Sequence, residues 1–293
     1  MSDPGEEAPR LTHQPPVRAA MRSRLGRDFP ARLVSAVALA ALALGLLYAG
    51  SVPFAVLVCL VGGLASWEWS RMVRATGLDV AFLVQAVAVV MAATLSGVGL
   101  AALGLVVVVV GAILVGLLTF GRRPLLSAAG VLYIGLPAVA VLWLREDVTH
   151  GLIAVLFLLM VVAVTDTLAY LGGRLIGGPR LWPRISPGKT WAGLLTGVAA
   201  SIAAGAGFSH ATDADPVALG LTGGLFGFTA QLGDLAESGL KRHFGVKDTS
   251  ALIPGHGGVL DRIDGLVAVA VVAALVALLI NPYAPATGLI YGR

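Results

Sequence analysis

The sequence predicts an all-α polytopic membrane protein of about nine transmembrane helices, and three observations carry that expectation. Of its 293 residues 57% are hydrophobic and only 12% charged, and its mean hydropathy is +0.90. Soluble domains hold about twice that share of charge, so a chain this apolar needs the bilayer as its solvent. The apolar residues also fall into runs near the ~20 residues that a hydrocarbon core requires. Glycine is abundant, at 38 residues, and small residues let helices approach closely in lipid.

The runs can be taken in order. Candidate spans cover residues 32–50, 53–69, 80–98, 100–120, 125–144, 151–172, 191–208, 217–240 and 259–280. Residues 1–30 differ: they are polar and carry Arg10, Arg18, Arg22, Arg24 and Arg27. They lack the apolar core and cleavage site of a signal peptide, so a retained, largely disordered tail is expected. With that tail in the cytoplasm, Lys and Arg should concentrate in alternate loops. They do: Arg71 and Arg74; Arg122 and Arg123; Arg174, Arg180, Arg184 and Lys189; then Lys241, Arg242 and Lys247. The other side receives Arg145, Arg293 and the acidic loop SHATDADP. An odd number of spans preserves this alternation. It places the polar loops 173–190 and 241–258 in the cytoplasm.

Cysteine and net charge exclude other classes. Cys59 is the single cysteine, so no intrachain disulfide or thiolate metal cage can form. The pI of about 9.6 comes without a basic-aromatic patch. A nucleic-acid partner is therefore not expected, and basic loops facing an anionic leaflet account for the charge.

Acids at the cytoplasmic ends of the later spans then stand out. Asp166 lies in the sixth span, Asp234 and Glu237 in the eighth, Asp261 and Asp264 in the ninth. Ionisable groups at such depth face polar cavities or each other. Asp234, Glu237, Ser238 and Lys241 share one helix face by their spacing, and Asp261 and Asp264 are one turn apart on the next helix. Carboxylates without His or Cys ligands suit a hard cation such as Mg²⁺, which takes remaining ligands from water and phosphates. Lys241, Arg242, Lys247 and Arg262 add positive charge suited to a polyphosphate. The turn Pro254-Gly255-His256-Gly257-Gly258 precedes the ninth span; its glycines let backbone N–H groups approach an anion near a helix N-terminus. These features describe a metal-dependent phosphate site at the membrane surface.

Duller roles compete. The acids could form helix–helix salt bridges, such as Asp261 with Arg262 or Lys241. Arg71, Arg74, Arg122 and Arg123 are expected to set topology. Trp182 and Trp191 are read as interface markers, and Tyr170 as either core or site. His13, His150, His210 and His243 have no acidic or His partner at ligand spacing. Ser186-Pro187-Gly188-Lys189-Thr190 imitates a P-loop, but Pro183 stands where that motif needs Gly and no strand precedes it. A lysine beside a hydroxyl in that loop can still bind phosphate.

The run S-G-L-K-R-x₄-K-D-x-S-x₂-I-P-G-H-G-G-V-x-D-R-I-D, from Ser238 to Asp264, resembles the signature of the phosphatidate cytidylyltransferases, or CDP-diacylglycerol synthases. Asp166-Thr167-x-Ala169-Tyr170-x-x-Gly173-Arg174, followed by Ser186-Pro187-Gly188-Lys189-Thr190-Trp191, is similar to that family's other recurrent block. The likeness covers residues 150–280. It implies an enzyme of the cytoplasmic (inner) membrane that converts CTP and phosphatidate to CDP-diacylglycerol and pyrophosphate. By resemblance, Asp234 and Asp261 hold Mg²⁺ with a companion monovalent cation, and Asp264 completes the acidic cluster. Ser238, Lys241, Lys247 and Arg262 contact phosphates; His256, Gly257 and Gly258 shape the loop beneath them; Ser186 and Lys189 reach the same cavity.

The chain then divides into a cytoplasmic tail (1–30), N-terminal transmembrane helices (31–150), a catalytic transmembrane region (151–282) and a short C-terminal tail (283–293). A homodimer is compatible with the sequence and not decided by it. Two rivals are a CTP-dependent enzyme acting on another lipid phosphate or lipid alcohol, and an ion-coupled transporter. A transporter predicts acids near the midplane and repeated halves, whereas these acids gather at one edge.

Overall fold

A computed structural model describes residues 34, 35, 37–253 and 257–293. The expected tail 1–30 and the residues Pro254, Gly255 and His256 lie outside the described residues. The described chain is helical almost throughout: α1 (Val37–Ala49), α2 (Ser51–Arg74), α3 (Val80–Gly97), α4 (Ala101–Leu118), α5 (Pro124–Arg145), α6 (Gly151–Leu175), α7 (Trp191–Phe208), α8 (Pro216–His243), α9 (Leu260–Ile280) and α10 (Pro285–Tyr291). Seven of these, α2 to α7 and α9, are long and apolar enough to cross a membrane. The protein is a polytopic membrane protein. Its outer faces agree: along α4, Leu103, Val106, Val110, Leu114 and Leu117 are all exposed, a stripe that water would penalise and lipid accepts.

Local chemistry sets the boundaries. Asp79 caps α3 by accepting from Phe82 N at 2.7 Å. Thr190 caps α7 through Gly193 N, and Asp215 caps α8 through Val217 N and Ala218 N with Pro216 in the first turn. Two features were not anticipated. The 173–190 loop folds into a two-stranded antiparallel hairpin, β1 (Arg180–Trp182) and β2 (Ser186–Thr190), and the expected C-terminal tail forms α10. Strands this short, interrupted by Pro183 and Pro187, leave no alternating pattern to read.

Packing forms three core clusters, one of which joins α1, α2, α5 and α6 through Leu47, Phe54, Leu142 and Val155. Another, of α2, α3, α4 and α5, reaches across to Leu260 of α9. The third joins α6, α8, α9 and α10 around Phe157 and Phe226. Helices α7 and α8 touch backbone to backbone: a methyl group at Gly223 would lie 2.5 Å from the Ser201 carbonyl oxygen.

Contacts sort the helix ends. The C-terminal end of α2 meets the start of α5 through Arg123 Nη1 donating to Val73 O at 3.2 Å, and Arg123 lies over the Phe244 ring beyond α8 at 5.0 Å. At the opposite end Arg145 Nη2 donates to Leu47 O at 3.1 Å. There Asp147 accepts from Thr149 N, His150 N, Thr287 N and Thr287 Oγ1. Burial alone would raise its carboxyl, but those donors hold it below the ordinary value.

Candidate active site

The site forms where α2, the hairpin and the end of α8 meet the start of α9. From α8, Asp234 faces the hairpin: its Oδ2 lies 2.7 Å from Lys189 Nζ, and Ser238 Oγ donates to its Oδ1 at 3.3 Å. The Lys189 ammonium also donates to the Gln231 carbonyl at 3.2 Å. The lysine of the false P-loop thus reaches the acidic face of α8. One turn on, Glu237 is buried and pairs with Lys241 at 3.1 Å; Tyr133 OH of α5 donates to its other oxygen at 3.4 Å.

Lys241 continues to Asp261 Oδ1, at 2.7 Å. The second oxygen of Asp261 accepts from Thr249 N at 3.0 Å, Thr249 Oγ1 at 3.1 Å and Gly258 N at 2.8 Å. Asp261 therefore spans two jobs: Oδ2 ties the loop to the first turn of α9, and Oδ1 faces the lysine. Gly257 adopts φ +85°, in the left-handed region. Gly258 permits close approach, since a methyl group there would lie 2.6 Å from Glu68 Oε1 and would collide with Thr249 Oγ1.

Glu68 is the residue that the sequence reading missed. It comes from α2, is fully buried, and accepts four hydrogen bonds from the far end of the chain. Its Oε1 takes Ser250 Oγ at 2.6 Å and Val259 N at 2.8 Å; its Oε2 takes Thr249 Oγ1 at 3.1 Å and Leu260 N at 2.8 Å. Helix α9 has no side-chain cap of its own, so this remote carboxylate satisfies its first N–H groups and complements its dipole. The signal was present, because Glu68 is an acid inside the second apolar run.

Of the sequence-predicted residues, direct contacts join Lys189, Asp234 and Ser238 in one set and Lys241, Asp261 and Gly258 in another. Asp264 lies within electrostatic reach of Asp234, Asp166 and Lys241, which gathers acids from three helices. Lys247 and Arg262 are exposed, and their side chains make no hydrogen bond or ion pair among the described residues; the charge of Arg262 reaches Asp166. Ser186 opposes Trp182 across the hairpin. His256 is outside the described residues. Tyr170 is exposed and accepts from Arg174 Nη1 at 2.9 Å. The salt-bridge alternative is realised in part, through Lys241 and not Arg262.

The donor set suits a hard cation in kind, being carboxylate oxygens with serine and threonine hydroxyls nearby. No three His, Cys, Asp or Glu groups among the described residues converge closely enough to hold a metal alone. A cation here would need oxygen ligands from water and substrate, as Mg²⁺ ordinarily does. The ammonium groups of Lys189 and Lys241 sit against the two carboxylates that the resemblance assigns to metal.

A sequence profile described as the cytidylyltransferase family matches residues 30–280. The chain belongs to the cytidylyltransferase family. Phosphatidate cytidylyltransferase of Brucella abortus biovar 1 (strain 9-941) is 38% identical over 251 residues, covering 82% of this chain and 89% of that protein. The protein of the same name from Staphylococcus aureus (strain COL) is 42% identical over 139 residues, or 46% of this chain and 51% of that one. Likeness to the Brucella protein therefore extends beyond residues 150–280. The family match takes in both Glu68 and the Ser250–Leu260 segment that it anchors.

Proposed function

We propose that the protein transfers the cytidylyl group of CTP to phosphatidate, giving CDP-diacylglycerol and pyrophosphate for phospholipid synthesis. The observation that carries this reading is the match to proteins named phosphatidate cytidylyltransferase across 82% of the chain. The clustered lysines and acids on α8 and α9 are consistent with it. The protein would lie in the cytoplasmic membrane with nine spans, α1 and α8 added to the seven apolar helices, and with its N-terminus inside. The arginines and lysines near the C-terminal ends of α2, α6 and α8 and just before α5 then fall on the cytoplasmic side, where CTP is available.

In this reading phosphatidate presents its phosphate at the interface, and an anionic oxygen attacks the α-phosphorus of CTP in line. That oxygen forms the new P–O bond as the α–β bridge breaks and pyrophosphate leaves. The nucleophile is already ionised, so no strong general base is required. Lys241, Lys247 and Arg262 would take up phosphate charge, aided by Ser238, Ser186 and Lys189, in a poorly hydrated cavity where such contacts count for more. The loop of His256, Gly257 and Gly258 would support the phosphates through backbone N–H groups. Asp234 and Asp261 would hold Mg²⁺ together with a monovalent cation, Asp261 through Oδ1, because its Oδ2 already accepts three donors. Asp264 would complete the acidic cluster. Bound there, Mg²⁺ would neutralise charge on the α-phosphate and leaving group.

Incubating purified protein with CTP and Mg²⁺ against phosphatidate, an isoprenoid phosphate and diacylglycerol tests the reading. Pyrophosphate with CDP-diacylglycerol, from phosphatidate alone and abolished by chelation, is expected. Release of CDP with diacylglycerol would instead identify a lipid kinase.

A further inference from the structure

A second polar site lies away from the acidic cluster. The ends of α2, α4 and α8 and the starts of α3 and α5 enclose a cavity of about 850 Å³, and none of the acids and lysines of the candidate active site lines it. Its charged walls are Arg74, Arg122 and Arg123, against Asp79 as its one carboxylate. The Arg74 side chain is only 4% exposed. Its Nε and Nη2 donate to Asp79 and Nη2 also to Ser70, but Nη1 is buried without a partner. A buried guanidinium nitrogen left without an acceptor is costly, and it marks where an acceptor belongs. The Arg122 side chain makes no hydrogen bond or ion pair among the described residues, and Arg123 is exposed beside Phe244.

Setting topology explains exposed arginines. It does not explain a buried one beside a cavity. Thr76, Thr119 and His243 add polar wall, and the rest is apolar: Val80 and Leu118 are 64% and 53% exposed, and Leu78, Phe120 and Leu125 beside them exceed 80%. Guanidinium groups next to exposed aliphatic surface match an ionised phosphate carried on acyl chains better than a free anion.

We propose that this cavity is a second lipid site, which takes the phosphate head group of an anionic phospholipid on Arg122 and Arg123, beside the buried Arg74. The inference goes beyond the proposed reaction and does not depend on it. An occupant would rest against Phe244, on the segment that leads to Thr249 and hence to both Glu68 and Asp261.

The test is native mass spectrometry of the delipidated full-length protein, titrated with phosphatidylglycerol, phosphatidylcholine or inorganic phosphate. R122Q/R123Q is compared with R180Q/R184Q, which removes the same charge from the hairpin. The parent and the hairpin variant should retain one phosphatidylglycerol that R122Q/R123Q binds at least ~10-fold more weakly, as expected for lost charge-assisted contacts. Equal binding by all three proteins, equal weakening in both variants, equal retention of phosphatidylcholine, or retention of phosphate without lipid would each overturn the proposal. Because the readout is binding, it stands or falls separately from turnover.

Discussion

Replacing Glu68 with glutamine should unlock the loop before α9. Each carboxylate oxygen of Glu68 accepts one backbone N–H: Oε1 from Val259 and Oε2 from Leu260. Whichever way an amide lies, its NH₂ must therefore face a backbone donor, and one of those N–H groups is orphaned. Leu260 is 1% exposed and Val259 8%, so water offers little compensation. An unsatisfied buried donor costs about 1–3 kcal/mol, and lost charge assistance adds to that. A local destabilisation of about 2–3 kcal/mol corresponds to roughly 30- to 150-fold more frequent opening. Hydrogen–deuterium exchange on peptides spanning residues 246–262 would read that factor, with peptides from α6 and α7 as internal controls. Turnover should fall alongside, because Thr249 and Gly258 would no longer fix Asp261. Unchanged exchange in that segment would refute the anchoring role of Glu68.

Other outcomes follow from the same geometry. K189M should reduce turnover by at least ~10²-fold with the fold intact, since a partly exposed ion pair contributes little stability but a phosphate contact contributes much to rate; a near-parental rate with unchanged Tm would remove Lys189 from the site. G258A forces a methyl group onto Thr249 and Glu68, and thermal unfolding should report a loss of about 1–3 kcal/mol, as for overpacked cores. At Asp79 burial alone would raise the carboxyl, but Arg74, Phe82 N and Thr76 hold it below its ordinary 3.8. Its stabilisation is then present above about pH 4 and lost as pH falls through the lowered value. The Tm difference between parent and D79N should accordingly stay constant from neutral pH to about 5 and shrink below about 4.

Much of the molecule was legible in the sequence because lipid imposes one rule: an apolar run of sufficient length becomes a helix. All nine expected runs are helical among the described residues. The site was legible where spacing along one helix carried it. Asp234, Ser238 and Lys241 recur on one face of α8, and the structure pairs Ser238 with Asp234 and Lys241 with Glu237 and Asp261. What one helix cannot reveal is pairing between distant segments. Lys189 reaching Asp234 depends on a hairpin too short and too Pro-interrupted to leave a period. Glu68 gripping Ser250 and Val259 depends on two helix ends nearly two hundred residues apart. Arg74 reads as a topology signal from sequence; only its burial beside a cavity sets it apart from Arg71, which lies in the open over Trp67.

The central claim is that the α8–α9 site moves the cytidylyl group of CTP onto a lipid phosphate. Label in the α-phosphate of CTP, followed into the lipid phase with phosphatidate and Mg²⁺, tests it most directly, with D261N run in parallel. Labelled CDP-diacylglycerol is expected from the parent protein and none from a folded D261N. Label transferred at the parental rate by D261N, or no labelled lipid from a folded parent, would contradict it.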